Sequence, residues 1–233
     1  LDGKVDLYVS GYHPFGRKEL RMDPVYPALS SNTEEGEPNL LYRNEIEESG
    51  SWTFADVTEA AGLDQNNRGM TSGAAFEDYD ADGDADLYVA NDFGRNLLFR
   101  NEGDGTFVEV SETTGTGDSS FGMSATWGDA NRDGLPDLYL SNMWSSAGQR
   151  VTTQSIFKPE LGEKGRRGYL QLALGNTMLL NVDGQTFEDI SMDAGVTMGR
   201  WAWASPYIDY NNDGWEDLFV ANGFFTAPGP GDL

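Results

Sequence analysis

Residues 78–86 read DYDADGDAD, which puts aspartates at 78, 80, 82, 84 and 86. Five like charges at every second residue repel one another unless something positive gathers them. A hard divalent cation does so through oxygen ligands, and calcium takes about six to eight of them. A loop offering side chains at positions 1, 3, 5 and 9, with a backbone carbonyl at position 7, can wrap such an ion. Here those ligands are Asp78, Asp80, Asp82 and Asp86, with the carbonyl of Asp84. Gly83, at position 6, permits the sharp turn that brings the chain back around the ion.

The pattern recurs. DANRDGLPD supplies Asp129, Asn131, Asp133 and Asp137 with the carbonyl of Leu135, and DYNNDGWED supplies Asp209, Asn211, Asp213 and Asp217 with the carbonyl of Trp215. Position 7 is thus Asp, Leu or Trp, as expected where only its carbonyl is used. A fourth, incomplete copy opens the chain with Asp2, the carbonyl of Lys4 and Asp6. An EF-hand closes with a bidentate Glu at position 12, but that position is Val89, Leu140 or Val220 here. Magnesium prefers a rigid octahedron that keeps its waters, so the expected cofactor is calcium, in three full sites and one partial. The plainer alternative is an acidic turn without metal.

The elements that must hold these loops also repeat. The last Asp of each loop falls at 6, 86, 137 and 217, and a second block beginning NLLYRN, NLLFRN or NTMLLN follows at 39, 96 and 176. Within a unit, SGAAFED runs into the acidic loop, DLYVAN leaves it, and NLLFRN and TFVEVSE flank a hairpin turn, EGDG. Four short strands repeating at such a period are the signature of a β-propeller blade. The predicted fold class is all-β, a partial propeller. Its blades are 1–63 (strands 2–4, with an insertion at 11–38), 70–116, 120–196 (with an insertion at 143–175) and 200–233 (strands 1–2). Starting inside a loop and ending after a second strand, the chain reads as a segment of a longer polypeptide.

Composition narrows the partners. With 15 basic and 39 acidic residues the net charge is −24, which argues against nucleic acid and anionic membranes. There is no cysteine, so disulfides, thiolate metal sites and a cysteine nucleophile are excluded. No apolar run is long enough to insert in a membrane. The single histidine, His13, has no partner motif, and no nucleophile elbow or phosphate loop is present. No catalytic residues are assigned.

The combination of the DxDxDG loop, DLYVAN, NLLFRNEGDGTF and a following AG resembles the FG-GAP/VCBS repeats of calcium-binding propellers. Within them the chain is most similar to bacterial proteins related to cartilage acidic protein and ASPIC/UnbV. That resemblance implies a secreted or cell-surface propeller whose calcium ties the loop between the first two strands of each blade. It implies a non-enzymatic role in adhesion, protein–protein interaction or assembly. The alternative is a module of a secreted carbohydrate-active enzyme of lyase or dehydratase type, or a glycan-binding domain.

Partner contacts are expected on loops carried by the scaffold. The 143–175 insertion concentrates Arg150, Arg166 and Arg167 beside Trp144, and its segment KPELGEKGRRGYLQLA reads as a short helix. Arg200 and Trp201 form a second candidate, since aromatic rings with a nearby Arg suit a protein anchor or a sugar ring. Trp203 is expected in the core.

Overall fold

Short apolar runs bounded by glycine and asparagine turns become strands, and each acidic loop joins the first two strands of a sheet. A computed structural model of the chain describes residues 3–12, 36–46, 50–92 and 94–223. The first sheet holds β1 (Leu7–Val9), β2 (Leu40–Asn44) and β3 (Phe54–Asp56). The second holds β4 (Thr71–Glu77), β5 (Asp86–Asn91), β6 (Leu97–Asn101) and β7 (Phe107–Glu109), paired in chain order. The third repeats that order with β8 (Gly122–Gly128), β9 (Asp137–Asn142), β10 (Thr177–Asn181) and β11 (Phe187–Asp189). The last unit consists of β12 (Ala202–Ala204), β13 (Tyr207–Ile208), β14 (Asp217–Leu218) and β15 (Ala221–Asn222). In it β12 pairs with β15 and β13 with β14. The first strand is interrupted at Pro206, which has no N–H to give a ladder. All strand pairings are antiparallel. The chain is therefore all-β in plan, an open array of propeller-type sheets with helices confined to connections.

The second strands carry the core. β5 and β9 are buried at every position, which explains why DLYVAN and DLYLSN lack a polar face: each lies in a sheet covered on both sides. Leu87 and Val89 pack with Leu97, Phe99, Ala61 and Leu63 against Tyr8 and Leu41 of the first sheet. Tyr88 and Leu98 point the other way and pack on Leu138, Leu140 and Leu179 of the third sheet. Trp127 closes that second interface, stacked with Tyr79 at 6.4 Å and edge-on to Tyr88 at 6.2 Å. Each fully buried Leu or Val contributes about 1.5–3 kcal/mol, so the intersheet seams hold the array together.

The 143–175 insertion folds as α2 (Ser146–Thr152), a 3-10 turn at Pro159–Leu161 and α3 (Gly162–Leu174). The expected helix is present, and Ser145 caps α2 by accepting the Gly148 N–H. Tyr169 and Leu172 of α3 pack with Phe157, Leu161 and Phe121 in a satellite cluster. One short helix was not anticipated: α1 (Ser111–Thr114), closed by Gly115 at φ 79°. Trp203 departs from expectation too. It is 52% exposed, with its indole N–H donating to the Gly223 carbonyl, because no described element packs over that side of β12. His13 and most of the first insertion lie outside the described residues.

Candidate metal centre

The three complete loops share one hydrogen-bond plan. In the first, both Asp78 oxygens accept backbone N–H bonds, from Asp82 and from Gly83, each at 3.0 Å. Asp80 Oδ1 accepts from Asp82 N at 3.3 Å, and Asp82 Oδ1 accepts from Asp84 N at 3.0 Å. Asp129, Asn131 and Asp133 repeat these bonds to Asp133, Gly134 and Leu135. Asp209, Asn211 and Asp213 repeat them again to Asp213, Gly214 and Trp215. Position 6 is left-handed in each loop, at Gly83, Gly134 and Gly214. Position 4 is left-handed as well, at Ala81, Arg132 and Asn212. Asn212 is of a type that adopts this conformation, but Ala81 and Arg132 gave no sign of it; such a residue costs about 1–2 kcal/mol there.

The ninth residue does two jobs. Asp86 is fully buried, and its Oδ2 accepts from Tyr79 N while its Oδ1 accepts from Asn101 N on the third strand. Asp137 does the same with Ala130 N and Asn181 N. Asp6 accepts from Asn44 N at 2.8 Å, so even the incomplete copy keeps this link. Asp217 differs: among the described residues no third-strand N–H reaches it, and its buried Oδ2 lacks a hydrogen-bond partner. The partner asparagines also return a bond, from Asn101 Nδ2 to the Ala85 carbonyl and from Asn181 Nδ2 to the Pro136 carbonyl. Reading the loop alone missed Asn44, Asn101 and Asn181; their signal was the N that ends each LLYRN, LLFRN and TMLLN strand.

Donor chemistry suits a hard cation. One oxygen each from Asp78, Asp80 and Asp86 lie within 4.8 Å of one another. Burial pushes Asp86 up to about 7, and burial together with the Asp82 charge raises Asp80. Burial raises Asp137 likewise. In the other two loops an amide replaces the second carboxylate, and Asn131 and Asn211 turn their Nδ2 onto Asp133 and Asp213 Oδ2 at 2.8 and 2.9 Å. These residues fit a calcium ion, whose positive charge would offset the repulsion among the carboxylates that ligate it. Asp2 lies outside the described residues, and Lys4 is exposed.

The loops occupy one rim. Asn181 Nδ2 donates across sheets to the Tyr79 carbonyl at 2.8 Å. Asp129 N donates to Glu216 Oε2 at 2.9 Å, and the Arg132 guanidinium sits 4.8 Å from the Trp215 ring centre. Position 7 in the last loop is thus used as a side chain as well. The partner candidates fall elsewhere. Trp144 N donates to the Arg200 carbonyl and Trp144 pairs with Leu174, while Met143 pairs with Trp201. This brings Trp144, Arg200 and Trp201 to one junction. Arg150 is exposed on α2, and Arg167 is exposed on α3 beside half-buried Arg166. Arg167 stands seven residues before Leu174, about 10 Å along the helix from the junction.

Residues 78–140 match the family model described as FG-GAP-like repeat. The chain is similar to cartilage acidic protein 1 of Xenopus tropicalis, 41% identical over 59 residues, which is 25% of this chain and 9% of that protein. It is similar to the human protein of the same name, 32% identical over 96 residues, 40% of this chain and 14% of that one. The mouse protein is 31% identical over the same length. The matched stretch thus spans a small part of these relatives. Among the described residues no helix is long and apolar enough to cross a membrane.

Proposed function

We propose that this FG-GAP-repeat chain is a calcium-stabilised, non-enzymatic propeller module that engages protein partners, copies of itself included, outside the cell. The observation that carries the reading is the hydrogen-bond plan shared by three acidic loops, the first of which brings oxygens of Asp78, Asp80 and Asp86 within 4.8 Å of one another. In this reading 1–63, 70–116, 120–196 and 200–233 are successive blades. Calcium is held by Asp78, Asp80, Asp82, Asp86 and the Asp84 carbonyl, and by the corresponding residues of the two later loops. When bound, the ion supplies the positive charge that lets these carboxylates stay ionised in a partly buried turn. The likeness to proteins named for cartilage supports a setting outside the cell. Calcium there is millimolar, a range that weak loop sites can use.

The contact surface is proposed at the junction of Trp144, Arg200 and Trp201, extended by Arg150, Arg166 and Arg167. Cations on a chain of charge −24 complement an acidic protein or an anionic glycan. Native mass measurement with metal analysis tests the core of this reading. Three calcium ions per chain are expected. A chain that stays metal-free in millimolar calcium refutes it.

A further inference from the structure

One residue of the third sheet holds both of the first two acidic loops. Asn181 ends β10, and its backbone N–H donates to Asp137 Oδ1, the ninth position of the second loop, at 2.9 Å. Its side-chain Nδ2 donates to the Pro136 carbonyl of that same loop at 3.2 Å. Across the sheet boundary it also donates to the Tyr79 carbonyl of the first loop, at 2.8 Å, while its Oδ1 accepts from Gly184 N at 2.8 Å. The hairpin at Asp183 and Gly184 lies against the first loop as well, since a Cβ on Gly184 would come within 3.5 Å of the Asp80 Cα. Asn181 is 1% exposed, so water does not replace any of these partners. Tyr79 is fixed to match. It stands between Asp78 and Asp80, its N–H donates to Asp86 Oδ2, and its ring, 2% exposed, stacks on Trp127 of the third sheet.

The peptide that moves when the first loop loosens is therefore tied to the one that moves when the second does. Packed, fully bonded interiors hold one arrangement rather than yielding gradually, so ordering one loop lowers the ordering cost left for the other. We propose that the first two loops bind calcium cooperatively and that Asn181 is the positioning residue that couples them. This deepens the calcium reading above and rests on it. The contact between the second and third loops is of another kind. It runs through Glu216, which is exposed, and through Trp215, 48% exposed, facing the Arg132 guanidinium; water competes there and weakens such contacts. Charge alone acts in the opposite sense, because one bound cation repels the next, and at physiological salt that repulsion is screened beyond about 8 Å. Cooperative binding of the first two sites thus reports the hydrogen bonds through Asn181.

Calorimetric calcium titration of the full chain at about 0.15 M salt, with the third loop disabled by Asn211→Ala throughout, tests this. Asp80, Asn131 and Asn211 share their N–H partner with Asp78, Asp129 and Asp209, so each can be replaced while the turn stays closed. Disabling the second loop with Asn131→Ala is expected to weaken calcium at the first by at least about fivefold, and Asp80→Ala to weaken the second by the same factor, as linkage requires. Asn181→Ala shrinks both factors to below about twofold. Asn101→Ala is the control. It drops bonds to the Ala85 carbonyl and the Gly103 N–H within its own sheet, so it weakens the first site and leaves the coupling as it was. Asn181→Asp repeats the test if Asn181→Ala does not fold, since it keeps an acceptor for the Gly184 N–H and loses both donated bonds. Independent or anticooperative sites in the chain with Asn181 intact overturn the proposal, as does coupling that survives replacement of Asn181. A calcium-loaded chain with independent sites sinks the coupling and leaves the calcium reading standing, whereas a chain that takes up no calcium sinks both.

Discussion

Replacing Asp80 separates ligation from loop folding. Its hydrogen bond to Asp82 N, at 3.3 Å, is the longest in the loop, and Asp78 holds the same N–H at 3.0 Å. The turn should therefore survive Asp80→Ala. Burial and the neighbouring Asp82 charge already raise the Asp80 pKa, so removing this carboxylate relieves repulsion when no cation is present. In chelator the variant is expected to melt no lower than the parent. In calcium the sign reverses. A site with a dissociation constant about a hundredfold below the free calcium contributes about 2.7 kcal/mol by mass action. For a chain of this size that corresponds to about 5–11 °C of melting temperature. Asp80→Asn supplies the control, because Asn131 and Asn211 stand at the same position in the other two loops. It should keep most of the calcium-dependent gain. The assay is differential scanning calorimetry of the three proteins with and without calcium. An equal loss for Asp80→Ala in chelator and in calcium would refute ligation and leave Asp80 a residue of the turn alone.

The sheet-to-sheet seam and the buried carboxylate give two further expectations. Asn181 is 1% exposed and bonds the Tyr79 carbonyl, the Pro136 carbonyl and the Gly184 N–H, so Asn181→Ala strands three interior groups. At about 1–3 kcal/mol each it should cost at least about 3 kcal/mol in urea denaturation. Asn101→Ala, in the equivalent but half-exposed strand end, should cost about 1 kcal/mol; equal losses would show that the cross-sheet bond adds nothing. Burial holds Asp86 at about 7, above its ordinary value, so its neutral form favours the fold. The chelated protein should be most stable below about pH 4 and lose stability as pH rises through about 7. Saturating calcium, which favours the ionised form, should flatten or invert that trend in melting temperature. A chelated protein whose stability rises across the same range contradicts it.

Much of the site was legible in the order of residues because its chemistry is local. Aspartates at 78, 80 and 82 with glycine at 83 lie within one turn, so their spacing alone determines which side chains can converge. The four-strand period was legible for a related reason: hairpin turns such as EGDG join neighbours in both sequence and space. Asp86 was named as a ligand, yet its bond to Asn101 N spans 15 residues and was not foreseen. The left-handed Ala81 and Arg132 also escaped notice, since neither residue type advertises that conformation.

Trp203 shows the other limit. Its alternation with small residues reads as a core pattern, and alternation gives a face without saying what covers it. By itself the sequence determined the acidic loops, the order of the strands and the repeat, because these depend on contacts within a few residues or across one hairpin. Only the tertiary structure decided that Asn181 ties its sheet to Tyr79, 102 residues away, and that Leu87 is covered while Leu7 is bare. Identical strand patterns acquire different surroundings according to which sheet stands beside them, and the free energy of burial follows the surroundings rather than the pattern.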